Sequence, residues 1–426
     1  MKVICAPQNK IPRNLADNIE YFSLYSNPGR PNVNFIANGW KKQLEKIDIS
    51  PTILVWDFVT ITLSIAAADL VCVRKESADG WTRKIELKVF LCDPSPWIAQ
   101  KEVLEKAFRF LTGDVWVLEF VGGGIRPPKR KMFPLKTDAD CISLLSGGMD
   151  SLIGGIDLVS DGYKPCFVSQ EAKGDVEKQK MFSQSLMPYI QHFQWKNPIS
   201  QSARKEGSTR GRSIVFLGYA LLAATTLKKW ENEVINIYIP ENGFISLNIA
   251  LNAGRLGSLS TKTTHPVFLN LIQAVWDNLE IKAKLIRPYQ FKTKGEMLLE
   301  CKNQALVDTL ICNTTSCGKF LRYGNKHCGR CVPCMVRRAA FLKAKKKDTT
   351  EYVYPILNDR ETIEKSGAND IGAVAAAYIK YKTKGINRLV GGALSFSSIS
   401  ERKYYVKVIE RGLEELGEFL KEQKIL

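Results

Sequence analysis

Residues 141–159 read CISLLSGGMDSLIGGIDLV, and the order of parts in this stretch decides the fold. CISLL is a short apolar run of the kind that forms a buried strand, and SLIGGIDLV carries apolar residues at helical spacing. Between them lie Ser146, Gly147, Gly148, Met149, Asp150 and Ser151. Two glycines at a strand-to-helix turn let backbone N–H groups approach an anion, and the helix N-terminus adds the positive end of its dipole. Ser146 and Ser151 would add hydroxyl donors. A bare SGG triplet reads more simply as a tight turn in which Gly supplies positive φ and Asp150 or Ser151 caps the helix. The complete string in strand–turn–helix order favours a phosphate cradle.

Downstream, PCFVSQ (165–170), SIVFLGYALLAATTL (213–227) and VINIYIP (234–240) continue an alternation of apolar runs and helical stretches. That alternation predicts a parallel sheet with crossover helices, whose ligands bind at the carboxyl ends of strands. Upstream, ILVWDFVTITLSI, WTRKIELKVFLC and DVWVLEF read as β-rich runs, and AQKEVLEKAFRFL as a helix, which together predict an α+β domain. The most apolar stretch, residues 52–73, is interrupted by Asp57 and Asp69. It lacks the ~18 uninterrupted apolar residues of a membrane span and is read as buried strands. GGGIRPPKRK, residues 122–131, has linker composition, and the tail from about Thr349 is helical in pattern. The expected partition is an N-terminal α+β accessory domain (1–135), a parallel-sheet core (136–348) and a C-terminal helical region (349–426).

The chain of 426 residues is too long for one hydrophobic core, and its 45% hydrophobic and 24% charged residues are those of a globular protein. Lys and Arg number 61 against 43 Asp and Glu, a formal charge of +18. This balance suits polyanionic partners such as nucleotides, nucleic acid or an acidic protein, or else a basic surface kept for solubility. MKVICAPQNK lacks the apolar core of a signal peptide, so a cytoplasmic location without a membrane partner is expected. Of eleven cysteines, Cys317, Cys328, Cys331 and Cys334 form a cluster with two overlapping C-x2-C steps. Four thiolates at this spacing suit tetrahedral Zn²⁺ in a closed, structural site, in an element spanning 312–338. An iron–sulfur cluster is the alternative, and Cys312 competes with Cys317 as first ligand.

The string SGGMDS in its strand–turn–helix setting resembles the PP-loop of ATP pyrophosphatases, and a GxxxxGK[ST] sequence is absent. Taken with C-x10-CGRC-VPC and then Arg337-Arg338, it resembles the 7-cyano-7-deazaguanine synthase (QueC) family over residues 140–342. The resemblance implies an α/β PP-loop core, cleavage of ATP to AMP and pyrophosphate with Mg²⁺, and adenylation of a deazapurine carboxylate such as 7-carboxy-7-deazaguanine. It also implies roles for particular residues. Ser146, Gly147, Gly148, Asp150 and Ser151 would bind nucleotide, as would Lys173, and Asp150 is also a catalytic candidate, with Arg212 and Lys294. Thr209-Arg210-Gly211-Arg212-Ser213 stands where the family has a P-x-R-N-like sequence, which makes Arg212 the candidate phosphate contact. Lys292-Thr293-Lys294-Gly295-Glu296 matches a lysine-containing element, with Lys294 as the catalytic candidate and Thr293 and Glu296 as a capping box. Glu241-Asn242-Gly243 closes a strand where a substrate contact is expected, and His265 reads as a hydrogen-bonded loop residue.

Housekeeping members are far shorter, and the two flanking regions resemble the enlarged QatC form found in anti-phage defence operons. That resemblance implies an operon partner protein whose amine accepts the activated deazapurine in place of ammonia. Two other functions remain open: an RNA-modifying PP-loop enzyme of the tRNA-thiolating type, to which nucleic acid binding would belong, and a non-catalytic nucleotide-binding scaffold.

Overall fold

The computed structural model describes residues 1–129, 134–172, 174–196, 198–200, 205–251, 262–358 and 370–426. Two five-stranded sheets organise it. The first contains β1 (Lys2–Ala6), β2 (Ile19–Leu24), β3 (Val33–Ile36), β4 (Lys84–Leu91) and β5 (Val115–Gly122), in the order β3-β2-β1-β4-β5. Every pair is parallel, so this region is α/β and not the α+β domain its composition suggested. The expectation failed because residues 7–18 and 25–32, which join β1 to β2 and β2 to β3, hold no α-helix, so the strand–helix alternation is missing. Helices α1 (Trp40–Lys46), α2 (Ile53–Val71), α3 (Ser95–Ala99) and α4 (Lys101–Thr112) complete it.

A second correction concerns residues 52–73, which form the helix α2 rather than strands. Thr52 caps it by accepting from the Val55 N–H. The Thr60, Thr62 and Ser64 hydroxyls donate back to helix carbonyls at 2.7–3.0 Å, so its hydroxyls are satisfied in the interior. Burial on all sides erases the 3.6-residue signal by which a helix is recognised. The two aspartates that interrupt the run each hold a neighbouring loop. Asp57 accepts from the Cys92 and Asp93 N–H groups, and Asp69 from those of Arg210 and Gly211. Among the described residues, α2 is the one helix long and apolar enough to cross a membrane, yet 83% of its apolar window is buried inside the protein.

The second sheet contains β6 (Cys141–Leu144), β7 (Pro165–Gln170), β8 (His192–Trp195), β9 (Ile235–Tyr238) and β10 (Ala283–Ile286), all parallel, in the order β10-β9-β6-β7-β8. Helices α5 (Met149–Ser160), α6 (Val176–Leu186), α7 (Val215–Ala224), α8 (Gly243–Leu247), α9 (Pro266–Asn278), α10 (Lys294–Glu300), α11 (Gln304–Leu310) and α12 (Val332–Lys343) surround it. From β6 the chain builds outward to β7 and β8, then returns to β9 on the other side. The strand order therefore reverses between β6 and β9, and a ligand crevice opens at the carboxyl ends of those two strands.

The two sheets share one apolar core. Helix α2 packs on β4 and, across the boundary, on α7. Tyr25, Trp56, Trp40 and Trp195 run through that core as consecutive aromatic contacts with centroids 4.5–6.1 Å apart. The tail contributes α13 (Asp370–Lys384), α14 (Ile386–Val390) and α15 (Ile399–Glu422), which bury a separate apolar cluster against α8 and α12. The C-terminal helices thus cover α8 and α12 on the outside of the second unit.

Candidate functional site

The crevice between β6 and β9 is where the chain places its SGGMDS turn. Gly147 sits at φ +87°, a conformation that favours glycine, and a Cβ there would also meet Asp175 at 3.3 Å. Gly148 is the extended N-cap of α5, so the stricter demand for glycine falls on Gly147. The Ser151 hydroxyl receives the Ser146 N–H at 3.2 Å and donates to the Gly148 carbonyl at 3.0 Å, which folds the turn back over the first turn of α5. Gly154 lets α5 approach the end of β9, where a Cβ would lie 2.3 Å from Pro240. That approach brings Asp150 against Glu241 and Asn242.

Asp150 is the hub. One oxygen pairs with the Lys294 ammonium; the other accepts from the Asn242 backbone at 3.1 Å and its side-chain amide at 2.6 Å. Burial would raise the Asp150 pKa, but Lys294 and the hydrogen bonds outweigh it and hold the carboxyl down at about 2. Burial and the neighbouring Asp150 charge push Glu241 the opposite way, well above the ordinary carboxyl range. Asp150 is thus held as the charged partner of Lys294, while Glu241 beside it is pushed toward its neutral form. The three line a cleft of ≈ 220 Å³ with Ser146, Gly148, Ser151, Thr315 and Ser316.

Of the residues singled out from the sequence, Ser146, Gly148, Asp150, Ser151, Glu241 and Lys294 line this cleft together, with Gly147 in the turn behind it. Thr293 and Glu296 form the expected capping box. Arg212 is exposed at the start of a 3-10 turn ahead of α7 and is not among the lining residues. Its neighbour Arg210 is buried beside Trp81, with its backbone on Asp69. Lys173 lies outside the described residues. His265 caps α9 by accepting from the Val267 N–H, and its ring packs between Phe110 and Phe396. Burial lowers its pKa to about 3, which leaves it neutral.

The four sulfurs of Cys317, Cys328, Cys331 and Cys334 lie within 4.8 Å of one another, and all four residues are buried. The Cys317–Cys331 and Cys328–Cys334 separations are both 3.9 Å. A tetrahedral Zn²⁺ with bonds of about 2.3 Å spaces its sulfurs by about 3.8 Å, so the donor set fits that ion. Backbone N–H groups of Lys319, Cys328 and Cys331 point at the Cys317 and Cys328 sulfurs at 3.3–3.4 Å, as electron-rich thiolates require. Cys312 lies outside the group, against the Lys347 carbonyl. Arg337, fully buried, donates to Thr314, Ser316, Ile311, Cys312 and Thr350 and so fixes the strand of chain that joins cluster to cleft. In that chain the Thr315 N–H donates to the Gly147 carbonyl at 2.9 Å.

Sequence reasoning missed Thr315, Lys178 and Asp175. Lys178 donates to the Thr315 hydroxyl at 2.8 Å, and Asp175 lies against Gly147. None belongs to a motif, and only the fold brings them to the turn.

In comparisons with known proteins, the chain is similar to a 7-cyano-7-deazaguanine synthase from Paracoccus denitrificans (strain Pd 1222), with 29% identity over 162 residues. The matched region is 34% of this chain and 67% of that relative. No protein-family model and no solved structure matches the chain.

Proposed function

We propose that the cleft between β6 and β9 activates a deazapurine carboxylate, such as 7-carboxy-7-deazaguanine, by adenylation at the expense of ATP. The observation that carries this is the glycine turn at the strand-order reversal, facing the buried Lys294–Asp150 pair. The likeness to a 7-cyano-7-deazaguanine synthase supports the choice of substrate.

A carboxylate oxygen of the substrate attacks the α-phosphorus of ATP, and the bond to the bridging oxygen breaks to release pyrophosphate. An amine nitrogen then attacks the acyl carbon, and AMP leaves with one oxygen of the original carboxylate. In this scheme the N–H groups of the turn and the N-terminus of α5 hold phosphate oxygens, and Lys294 stabilises charge moving onto pyrophosphate. Asp150 and Asn242 keep Lys294 in place. Mg²⁺ bound with the nucleotide would neutralise charge on its phosphates. Cys317, Cys328, Cys331 and Cys334 would hold Zn²⁺ as a structural ion, and so would keep Thr315 on the turn. Catalysis rests on positioning and electrostatics, with no side-chain nucleophile required.

The acceptor we propose is an amine on a partner protein encoded alongside this chain in a defence operon, with ammonia as the competing acceptor. Support comes from the two regions outside the synthase-like core, the first sheet and the C-terminal helices. The test supplies ATP, Mg²⁺ and 7-carboxy-7-deazaguanine with ammonia or with neighbouring operon proteins. Release of AMP and pyrophosphate is expected, with deazapurine mass added to a partner. Formation of ADP and phosphate would overturn the adenylation, and free nitrile with no modified partner would overturn the protein acceptor.

A further inference from the structure

The turn that carries Lys294 is held from outside the second sheet. Glu415 of α15, 6% exposed, accepts a hydrogen bond from the Thr293 hydroxyl and another from the Gly295 N–H at 3.3 Å. One turn earlier on α15, Arg411 donates to Glu296 at 2.5 Å and to the Phe291 carbonyl at 2.7 Å. The residues on either side of Lys294 are therefore gripped by the C-terminal helix, while Lys294 itself reaches Asp150.

The same helix face supports the opposite wall of the cleft. Gly412 lies against Phe244 of α8, where a Cβ would come within 2.3 Å of the ring. Helix α8 starts directly after Asn242, the residue that holds Asp150. Residues 405, 412 and 415 thus share one side of α15, with the Tyr405 hydroxyl on Gln290 at 3.4 Å. Plain packing would be served by an apolar side chain at 415. A buried carboxyl is costly unless its bonds are made, and the bonds it makes here are to the Lys294 turn.

We propose that α15 is a positioning element of the nucleotide site, in which Glu415 sets the placement of Lys294 against Asp150. The proposal rests on the role given above to Lys294, and the experiment separates the two. Pyrophosphate release is measured for full-length Glu415→Ala, Glu415→Gln, Lys294→Ala and the Glu415→Ala/Lys294→Ala double variant. Glu414→Gln serves as control, because Glu414 faces away and pairs with Lys382 of α13 at 2.9 Å. Amide exchange across residues 293–297 and thermal melting accompany the kinetics.

Glu415→Ala is expected to lower kcat about tenfold or more while the KM for ATP changes by less than about threefold, since a misplaced group costs the transition state most. Its Gly295 amide should exchange faster. Glu415→Gln keeps one oxygen for Thr293 but puts an amide nitrogen, itself a donor, where the other oxygen accepts from Gly295, and should fall between, which covers the case in which the alanine variant does not fold. In the Lys294→Ala background Glu415→Ala should add less than about twofold, because both act through one group. Glu414→Gln should turn over normally. Wild-type kcat in both Glu415 variants, with Lys294→Ala impaired, overturns this inference alone, as do penalties that multiply in the double variant. Normal turnover by Lys294→Ala overturns the role of Lys294 and this inference with it.

Discussion

The molecule holds two buried ionic clusters built of similar side chains, and they do different things. At the start of β4 and β5, Arg83 bridges Asp69 and Asp114 at 2.5 and 2.6 Å, and Arg74 pairs with Asp114 at 2.7 Å. The backbone N–H groups of Arg210 and Gly211 take the remaining Asp69 oxygen. The Arg74, Arg83, Asp69 and Asp114 side chains are at most 4% exposed, the buried Arg210 guanidinium lies beside them on the Thr112 carbonyl, and the whole ties α2, the first sheet and the chain before α7 together. Beside the glycine turn, one lysine faces two carboxyls, and the set opens on a cleft. Burial and the Asp150 charge push Glu241 toward its protonated form there. Burial and pairing are common to both, so neither marks a functional site by itself. An unmatched acid and an open wall do.

Removing metal should have the largest effect and should strike the open cluster before the sealed one. Structural zinc supplies on the order of 10 kcal/mol of folding free energy in small domains. Cys328→Ser, or chelation, should lower the melting temperature and abolish ATP turnover, because Thr315 no longer holds Gly147. Metal analysis should find one zinc per chain, and iron with sulfide would contradict the assignment.

Arg83→Met should follow in size. It strands Asp69 and Asp114, and breaking a buried pair in this way costs about 3–5 kcal/mol. Lys294→Met should destabilise less, since Asp150 keeps both Asn242 donors when its ammonium partner is lost, yet cut ATP-to-AMP turnover by about 10²–10³-fold. If the two variants traded phenotypes, the contrast between sealed and open clusters would be broken. Gly147→Ala is smaller in stability, about 1–2 kcal/mol for a side chain in a left-handed conformation, but should also cost activity through the turn's N–H groups.

The smallest effect is a pH slope. Glu241 has a folded pKa above its unfolded value, so the folded state holds a proton that the unfolded state gives up. Its contribution is therefore present at low pH and lost as pH rises through the folded pKa. Asp114, held low by Arg83 and Arg74 against the pull of burial, has the reverse sign, with stability lost only on acidification. Urea midpoints at several pH values should show the decline from Glu241 in wild type and its absence in Glu241→Gln. Equal slopes in the two proteins would contradict a protonated Glu241.

How much of this was legible in the sequence depends on whether a signal is local. The SGGMDS turn and CGRCVPC are contiguous, and Glu241 and Lys294 stand at the end of a strand and the start of a helix, where sites are expected. Their meeting at Asp150 is a property of the sheet order and was not legible. Helix α2 was misread because a segment apolar on every side has no periodicity to read, and its aspartates, seen as interruptions, turned out to hold loops. Arg212 was placed by motif position, and it stands exposed at the head of a 3-10 turn while the Arg210 and Gly211 N–H groups before it donate to Asp69. Glu415 lies 265 residues after Asp150 in an amphipathic tail helix, and nothing nearby marks it as different from its neighbours.

The central claim is that a substrate carboxylate attacks the α-phosphate of ATP in the β6–β9 cleft. Its most direct test is to supply 7-carboxy-7-deazaguanine labelled with ¹⁸O in the carboxylate, together with ATP, Mg²⁺ and an amine acceptor, and to weigh the AMP. The account predicts AMP carrying one ¹⁸O, with unlabelled pyrophosphate. Unlabelled AMP, or ADP in its place, would contradict it.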